Sequence, residues 1–263
     1  MNVVKSDDGT KIAYDKQGRG PALMLVDGAM CTRSTGSKPE LVNLLAAHFT
    51  VYSYDRRGRG DSGDTQPYAV EREVEDIAAL VDDAGGTAYL YGHSSGACLA
   101  LEAAVQLGGR VTRLAMYEAP YHTDPGAQRA WNVYLNELGE ALPAGRFGDA
   151  VALFMTYVGM PAEQLAGMRQ SPFWPTLEAI APTLAYDHAA ILGKDASVPA
   201  ERAARLAAPA LVMHGGASFP FMADAAQAVS RAIPRAQLRT LPDQGHEVSP
   251  RVLAQTLAEF FPA

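Results

Sequence analysis

Cysteine is scarce in this sequence: Cys31 and Cys98 are its only two. Two cysteines in 263 residues do not make a disulfide framework, so free thiols in a reducing, cytoplasmic compartment are the expectation. No apolar run reaches the roughly 20 residues needed to span a bilayer. The opening Met1-Asn2-Val3-Val4-Lys5-Ser6-Asp7-Asp8 has no apolar stretch of signal-peptide length. Positive charge is also in short supply. Twenty-two Lys and Arg face 29 Asp and Glu, a net charge of −7, which argues against nucleic acid or an anionic membrane as the main partner. The one basic cluster, Arg56-Arg57-Gly58-Arg59, is too short and isolated to reverse that. Neither H-E-x-x-H nor a paired-cysteine metal spacing occurs. The loop Asp55–Gly63 lacks the Lys-Ser/Thr ending of a phosphate-binding loop, so no cofactor and no metal are expected. Internal repeats and low-complexity segments are absent.

Short apolar runs bounded by Gly, Asp or Pro are what the sequence does contain: Ala22–Val26, Val51–Tyr54, Ala88–Tyr91, Leu114–Tyr117 and Ala210–Met213. Such runs suit strands of a parallel sheet buried on both faces. Helical spacing links them, at Val70, Val74, Ile77, Ala78 and Val81 with acids opposite, and at Leu253, Leu257, Phe260 and Phe261. Alternating strand and helix predicts an α/β fold with a mostly parallel central sheet flanked by helices. The rhythm breaks over residues 121–200, which carry helical patterns such as Phe147, Val151, Phe154 and Val158, cut by prolines at 125, 143, 161, 172, 175, 182 and 199. The expected organisation is a core of residues 1–120 and 201–263, with residues 121–200 forming a helical cap inserted after the sixth strand.

Gly92-His93-Ser94-Ser95-Gly96 follows a strand run and precedes the helix-compatible Ala97–Ala104. That is the strand–turn–helix context in which a G-x-S-x-G serine is held in a strained turn with its hydroxyl exposed. Ser94 is therefore the expected nucleophile. His93 fills a motif position where packing or a hydrogen bond is the expectation. A general base should follow the last strand, read as Ala236–Leu241, and Gly245-His246 supplies a loop histidine there. His48, His122, His188 and His214 are worse placed.

The acid is less direct. Its usual position, after the seventh strand, holds Ser218 in His214-Gly215-Gly216-Ala217-Ser218, and a serine cannot stabilise an imidazolium by charge. One strand earlier, Glu118 stands at the carboxyl end of Leu114–Tyr117, where catalytic groups of open α/β sheets gather. Strands are about 4.8 Å apart, so an acid displaced by one strand reaches the histidine if its side chain is longer. Glu118 is the expected acid, with Asp224 and Asp243 as alternatives. Oxyanion donors are expected from the N–H of Ser95 and of Gly28 or Ala29; Asp27 reads as a turn former.

With these residues in hand, the chain resembles the α/β-hydrolase superfamily through the elbow Gly92–Gly96, the loop Asp55–Gly63 and the late Gly245-His246. Asp27-Gly28, Ser94-Ser95-Gly96-Ala97 and Glu118-Ala119-Pro120 are similar to the zearalenone-lactonase type. That resemblance implies lactone or ester hydrolysis, a helical cap over the pocket and Glu118 as the acid. The expected substrate is a small apolar, aromatic or macrocyclic ester or lactone, cleaved through an acyl-enzyme. Met30, Met155, Tyr157, Trp174, Tyr186 and Met222 are the expected lining, with Trp174 the foremost contact. A general carboxylesterase, a carbon–carbon hydrolase or lyase with the same three residues, and a hydrolase-fold receptor with little turnover stay open, as does a homodimer.

Overall fold

The computed structural model describes residues 1–36 and 39–262. Among them runs one eight-stranded sheet made of β1 (Asn2–Lys5), β2 (Lys11–Gln17), β3 (Ala22–Val26), β4 (Thr50–Tyr54), β5 (Ala88–His93), β6 (Val111–Tyr117), β7 (Ala210–Gly215) and β8 (Ala236–Leu241). The spatial order is β1-β2-β4-β3-β5-β6-β7-β8, antiparallel at β1/β2 and β2/β4 and parallel elsewhere. The six expected strands are β3 to β8. β1 and β2 form an antiparallel extension at one side of the sheet; their short apolar stretches, Val3-Val4 and the buried Ile12–Tyr14, are flanked by polar residues.

Alternation along each central strand feeds two cores. Leu23 and Leu25 of β3 face one way and pack with α1 (Pro39–Leu45) and α10 (Pro250–Phe260). Met24 and Val26 face the other way, toward α2 (Val70–Asp83), α3 (Ser95–Leu107) and α9 (Pro220–Ala232). Helix α3 crosses the middle of the sheet with every residue from Ser95 to Ala104 buried, which its small side chains permit.

The acids of α2 depart from expectation. Glu73 and Asp76 are buried, because the loop after β4 turns Arg56 and Arg57 over them. Arg56 donates to both Glu73 oxygens at 2.7 Å, and Arg57 to both Asp76 oxygens at 2.8 and 2.7 Å. The basic cluster of the sequence is thus interior and neutralised, not a surface patch.

Between β6 and β7 the chain runs through α4 (Pro125–Ala141), α5 (Phe147–Tyr157), α6 (Ala162–Arg169), α7 (Trp174–Ile180), a π-helical turn (Ala185–Leu192) and α8 (Ala200–Ala203). The prolines explain the short pieces. Pro125 and Pro175 open α4 and α7, where a missing N–H costs nothing, Pro161 caps α6, and Pro143 and Pro172 lie in connections. No helix among the described residues is long and apolar enough to cross a membrane.

The crossing of α3 against β3 leaves no room at Gly96, where a Cβ would fall 2.2 Å from the Val26 carbonyl oxygen and 2.5 Å from that of Asp27. Gly139, exposed within α4, has open space around it. Gly96→Ala is expected to cost at least about 3 kcal/mol in urea denaturation, and Gly139→Ala to add about 1 kcal/mol. A tolerated Gly96→Ala would contradict this packing.

Candidate active site

Ser94 ends the turn from β5 into α3 with φ 56° and ψ −129°, a conformation costly for a side chain other than glycine. The turn closes because Gly92 and Gly96 flank it; a Cβ on Gly92 would come 2.5 Å from Ala97 Cα. Its amide is tied across the sheet, Ser94 N–H donating to the Tyr117 carbonyl at 2.9 Å. Opposite the serine stands the loop after β3. A Cβ on Gly28 would lie 3.0 Å from Ser94 Cβ and 3.6 Å from its Oγ, so a side chain there would crowd the serine.

Glu118 extends β6 by one residue, its N–H donating to the Met213 carbonyl at 2.9 Å and its φ positive at 49°. This directs the carboxylate toward the loop after β8. His246 Nδ1 lies 2.7 Å from Glu118 Oε2, Ser218 Oγ donates to the same oxygen at 2.8 Å, and Gly215 N–H donates to Oε1 at 2.9 Å. Burial opposes ionisation of Glu118, but the hydrogen bonds from His246, Gly215 and Ser218 outweigh it and hold the carboxyl below its ordinary range. With Nδ1–H committed to the carboxylate, a neutral His246 presents Nε2 as an acceptor. The His246 side chain is 32% exposed and Glu118 is fully covered. The loop is braced from below: Tyr117 Oη donates to the Gly245 carbonyl, and His93 Nε2 donates to that of His246 at 3.1 Å. Burial, with His246 nearby, pushes His93 down to about 4, so it is a neutral strut. Asp224 and Asp243 are both exposed, and neither reaches His246.

Ser94, His246, Gly28, Ala29 and Ser95 line one cavity of about 470 Å³. Its opposite wall is aromatic, with Trp131, Phe154, Tyr157, Phe219 and Phe221. Two histidines share that wall. His122 Nε2 lies 2.7 Å from Tyr157 Oη, and His188 Nδ1 lies 2.7 Å from Tyr134 Oη. Burial pushes His188 down to about 4, so it faces the cavity uncharged. Among the described residues no group of three or more His, Cys, Asp or Glu is arranged to hold a metal ion.

Residues 33–260 match the model of the Alpha/beta hydrolase family. The chain belongs to the α/β-hydrolase family. An alpha/beta hydrolase from Sphaerobacter thermophilus is 47% identical over 99% of this chain and all of that one, with a TM-score of 0.87. N-formylmaleamate deformylase of Pseudomonas putida is 32% identical over 145 residues, 52% of each chain. The uncharacterized hydrolase YraK of Bacillus subtilis is 32% identical over 102 residues, 37% of each. The matched stretches thus span about half or less of these two curated relatives.

In this α/β-hydrolase-family chain, Tyr157 and Met222 line the cavity, whereas Met30, Met155, Trp174 and Tyr186 do not. Met30 is buried in the core, and Met155 packs against it. Trp174 donates Nε1–H to Glu178 Oε1 at 2.9 Å on its own helix. Tyr186 stacks on Tyr68 at 3.8 Å and bonds Asp64 and Gln66 at 2.7 Å, tying the π-helical turn to the loop after β4. The indole on the cavity wall is Trp131 instead. It shares a helical stripe with Tyr134 and Leu138, and that spacing was the available signal.

Glu118 ionises more readily in the folded chain than in the unfolded one, so it adds stability above the ordinary value of 4.5 and loses it as pH falls through the depressed folded value. The stability difference between wild type and Glu118→Gln is expected to hold level above pH ~6 and shrink below about 4.5, read by urea denaturation across pH. A difference that widens on acidification would refute the ionised assignment.

Proposed function

We propose that this α/β hydrolase is a cofactor-free serine esterase or lactonase that acts through an acyl-enzyme. The observation that carries this reading is the 2.7 Å Glu118–His246 pair at the rim of the cavity that the strained Ser94 also lines. His246 Nε2 takes the Ser94 proton as Oγ attacks the carbonyl carbon. Glu118 stabilises the resulting imidazolium, and backbone N–H groups of Ser95 and of the Gly28-Ala29 loop receive the oxyanion. The imidazolium then protonates the departing alcohol, and water activated by His246 releases the acyl group by the reverse path.

The cavity supports an apolar substrate. Its volume of about 470 Å³ is within the range of small-molecule sites, and its far wall is aromatic with neutral imidazoles. The segments Asp27-Gly28, Ser94–Ala97 and Glu118-Ala119-Pro120 support the narrower reading, hydrolysis of a lactone of the zearalenone-lactonase kind, with α4 to the π-helical turn as the cap over the substrate.

Ser94→Ala is expected to lower kcat by on the order of 10⁴–10⁶, and Glu118→Gln to be severe while Asp224→Asn and Asp243→Asn stay mild. Comparable losses in the three carboxamides would remove Glu118 from its role. The ratio of kcat/KM for a resorcylic macrolactone to that for p-nitrophenyl butyrate, after subtracting the Ser94→Ala rate, is expected to exceed one. A ratio near zero with brisk butyrate cleavage would make the protein a general carboxylesterase.

A further inference from the structure

Asp187 lies in the π-helical turn between β6 and β7, wholly buried, and its carboxylate joins the start of α3 to the loop after β4. Oδ1 accepts from Ser95 Oγ at 2.7 Å and from Arg56 Nη1 at 2.6 Å. Oδ2 accepts from Arg59 Nη2. The same two arginines hold the loop after β3: Arg59 Nη1 donates to the Gly28 carbonyl at 2.8 Å, and Arg56 Nη1 to the Asp27 carbonyl at 3.3 Å. Burial opposes charge on Asp187, but Arg56 and Arg59 more than compensate and hold its carboxyl far below the usual range.

Peptide geometry gives these contacts a direction. In a trans peptide the C=O and the following N–H point opposite ways. A guanidinium that fixes the Gly28 carbonyl therefore also fixes the Ala29 N–H, aiming it away from the arginine. The Asp27 carbonyl and the Gly28 N–H are coupled in the same way. On the other side, Ser95 begins α3, where the first N–H groups lack helical partners, and its side chain is anchored to the same carboxylate.

We infer that Asp187 is a positioning residue for the oxyanion hole, holding the Ser95 donor through the Ser95 hydroxyl, the Ala29 donor through Arg59 and the Gly28 donor through Arg56. The inference rests on the hydrolase reading above and adds a residue from the inserted segment to it. A developing oxyanion is stabilised only by donors already in place, so loosening them lowers kcat while substrate binding stays nearly the same.

Asp187→Asn strips a buried guanidinium of its counter-charge and is expected to lower Tm, so Ser95→Ala carries the test. It removes one hydroxyl and leaves the arginine pairs intact. With p-nitrophenyl butyrate, Ser95→Ala is expected to lower kcat about tenfold with KM within about twofold. Calorimetric affinity for phenylboronic acid, whose serine adduct places a negative oxygen in the hole, is expected to weaken about tenfold as well. Tm is expected to stay within about 2 °C. Ser94→Ala is run beside it and is expected to abolish both turnover and boronate binding. If Ser94→Ala retains either, the hydrolase reading fails and this inference with it. If Ser94→Ala abolishes both but Ser95→Ala matches wild type in kcat and boronate affinity, the role of Asp187 alone is overturned. A kcat loss accompanied by a large fall in Tm and unchanged boronate affinity overturns it too.

Discussion

Four buried charges hold the upper edge of this sheet: Arg56 and Arg59 against Glu73 and Asp187. Taking ions out of water is expensive, and such a group holds together only when each charge is paired and its remaining hydrogen-bonding capacity is used. Here surplus N–H groups go to the Asp27 and Gly28 carbonyls and a surplus carboxylate lone pair to Ser95, with Arg59 Nε the exception that has no partner among the described residues. Satisfying the cluster therefore orders the loop after β3, the start of α3, helix α2 and the π-helical turn together. Breaking one partner out of such a buried set typically costs about 3–5 kcal/mol, which makes the arrangement all-or-none.

A second constraint acts beside it, the exclusion of side chains where backbones meet. Gly96 against Val26 and Asp27 brings α3 closer to β3 than any Cβ allows, and Gly28 against Ser94 leaves only a tight fit for one. Among the described residues, positive φ at a non-glycine residue occurs at Met30, Ser94, Glu118, Ala196 and Asp243. Four of these five lie at or beside the loops that carry Ser94, His246 and Glu118 and that after β3, so conformational strain is concentrated at the site.

What the sequence reveals follows from how local each signal is. The turn at Ser94 is written in five consecutive residues, and Gly245-His246 needs only a preceding strand. Glu118 is legible because one strand spacing is a fixed length. Ser218, read as unable to serve as an acid, turns out to be a donor to Glu118 Oε2, a contact between residues 100 apart in the chain. The burial of Glu73 and Asp76 is hidden for the same reason, since helical periodicity does not register a loop arginine reaching over the helix. The expectation of Trp174 as the foremost contact fails on helix rotation, and the indole that lines the cavity is that of Trp131. Both are aromatic at helical spacing, and only the packing of α4 and α7 decides which ring meets the cavity.

The division of labour between the two sides of the cavity bears on how new specificities arise. One side is backbone and buried charge, where nearly every atom has a partner and substitutions are punished. The other side, with Trp131, Phe154, Tyr157, Phe219 and Phe221, is made of side chains whose neighbours are mostly other rings. The three phenylalanines carry no polar atom and tolerate exchange for other apolar groups of similar volume, whereas Trp131 Nε1–H donates to the Gly193 carbonyl at 2.9 Å and Tyr157 Oη lies 2.7 Å from His122 Nε2. Variation at those phenylalanines can therefore alter the shape of the cavity while the cluster of Ser94, His246 and Glu118 stays unchanged.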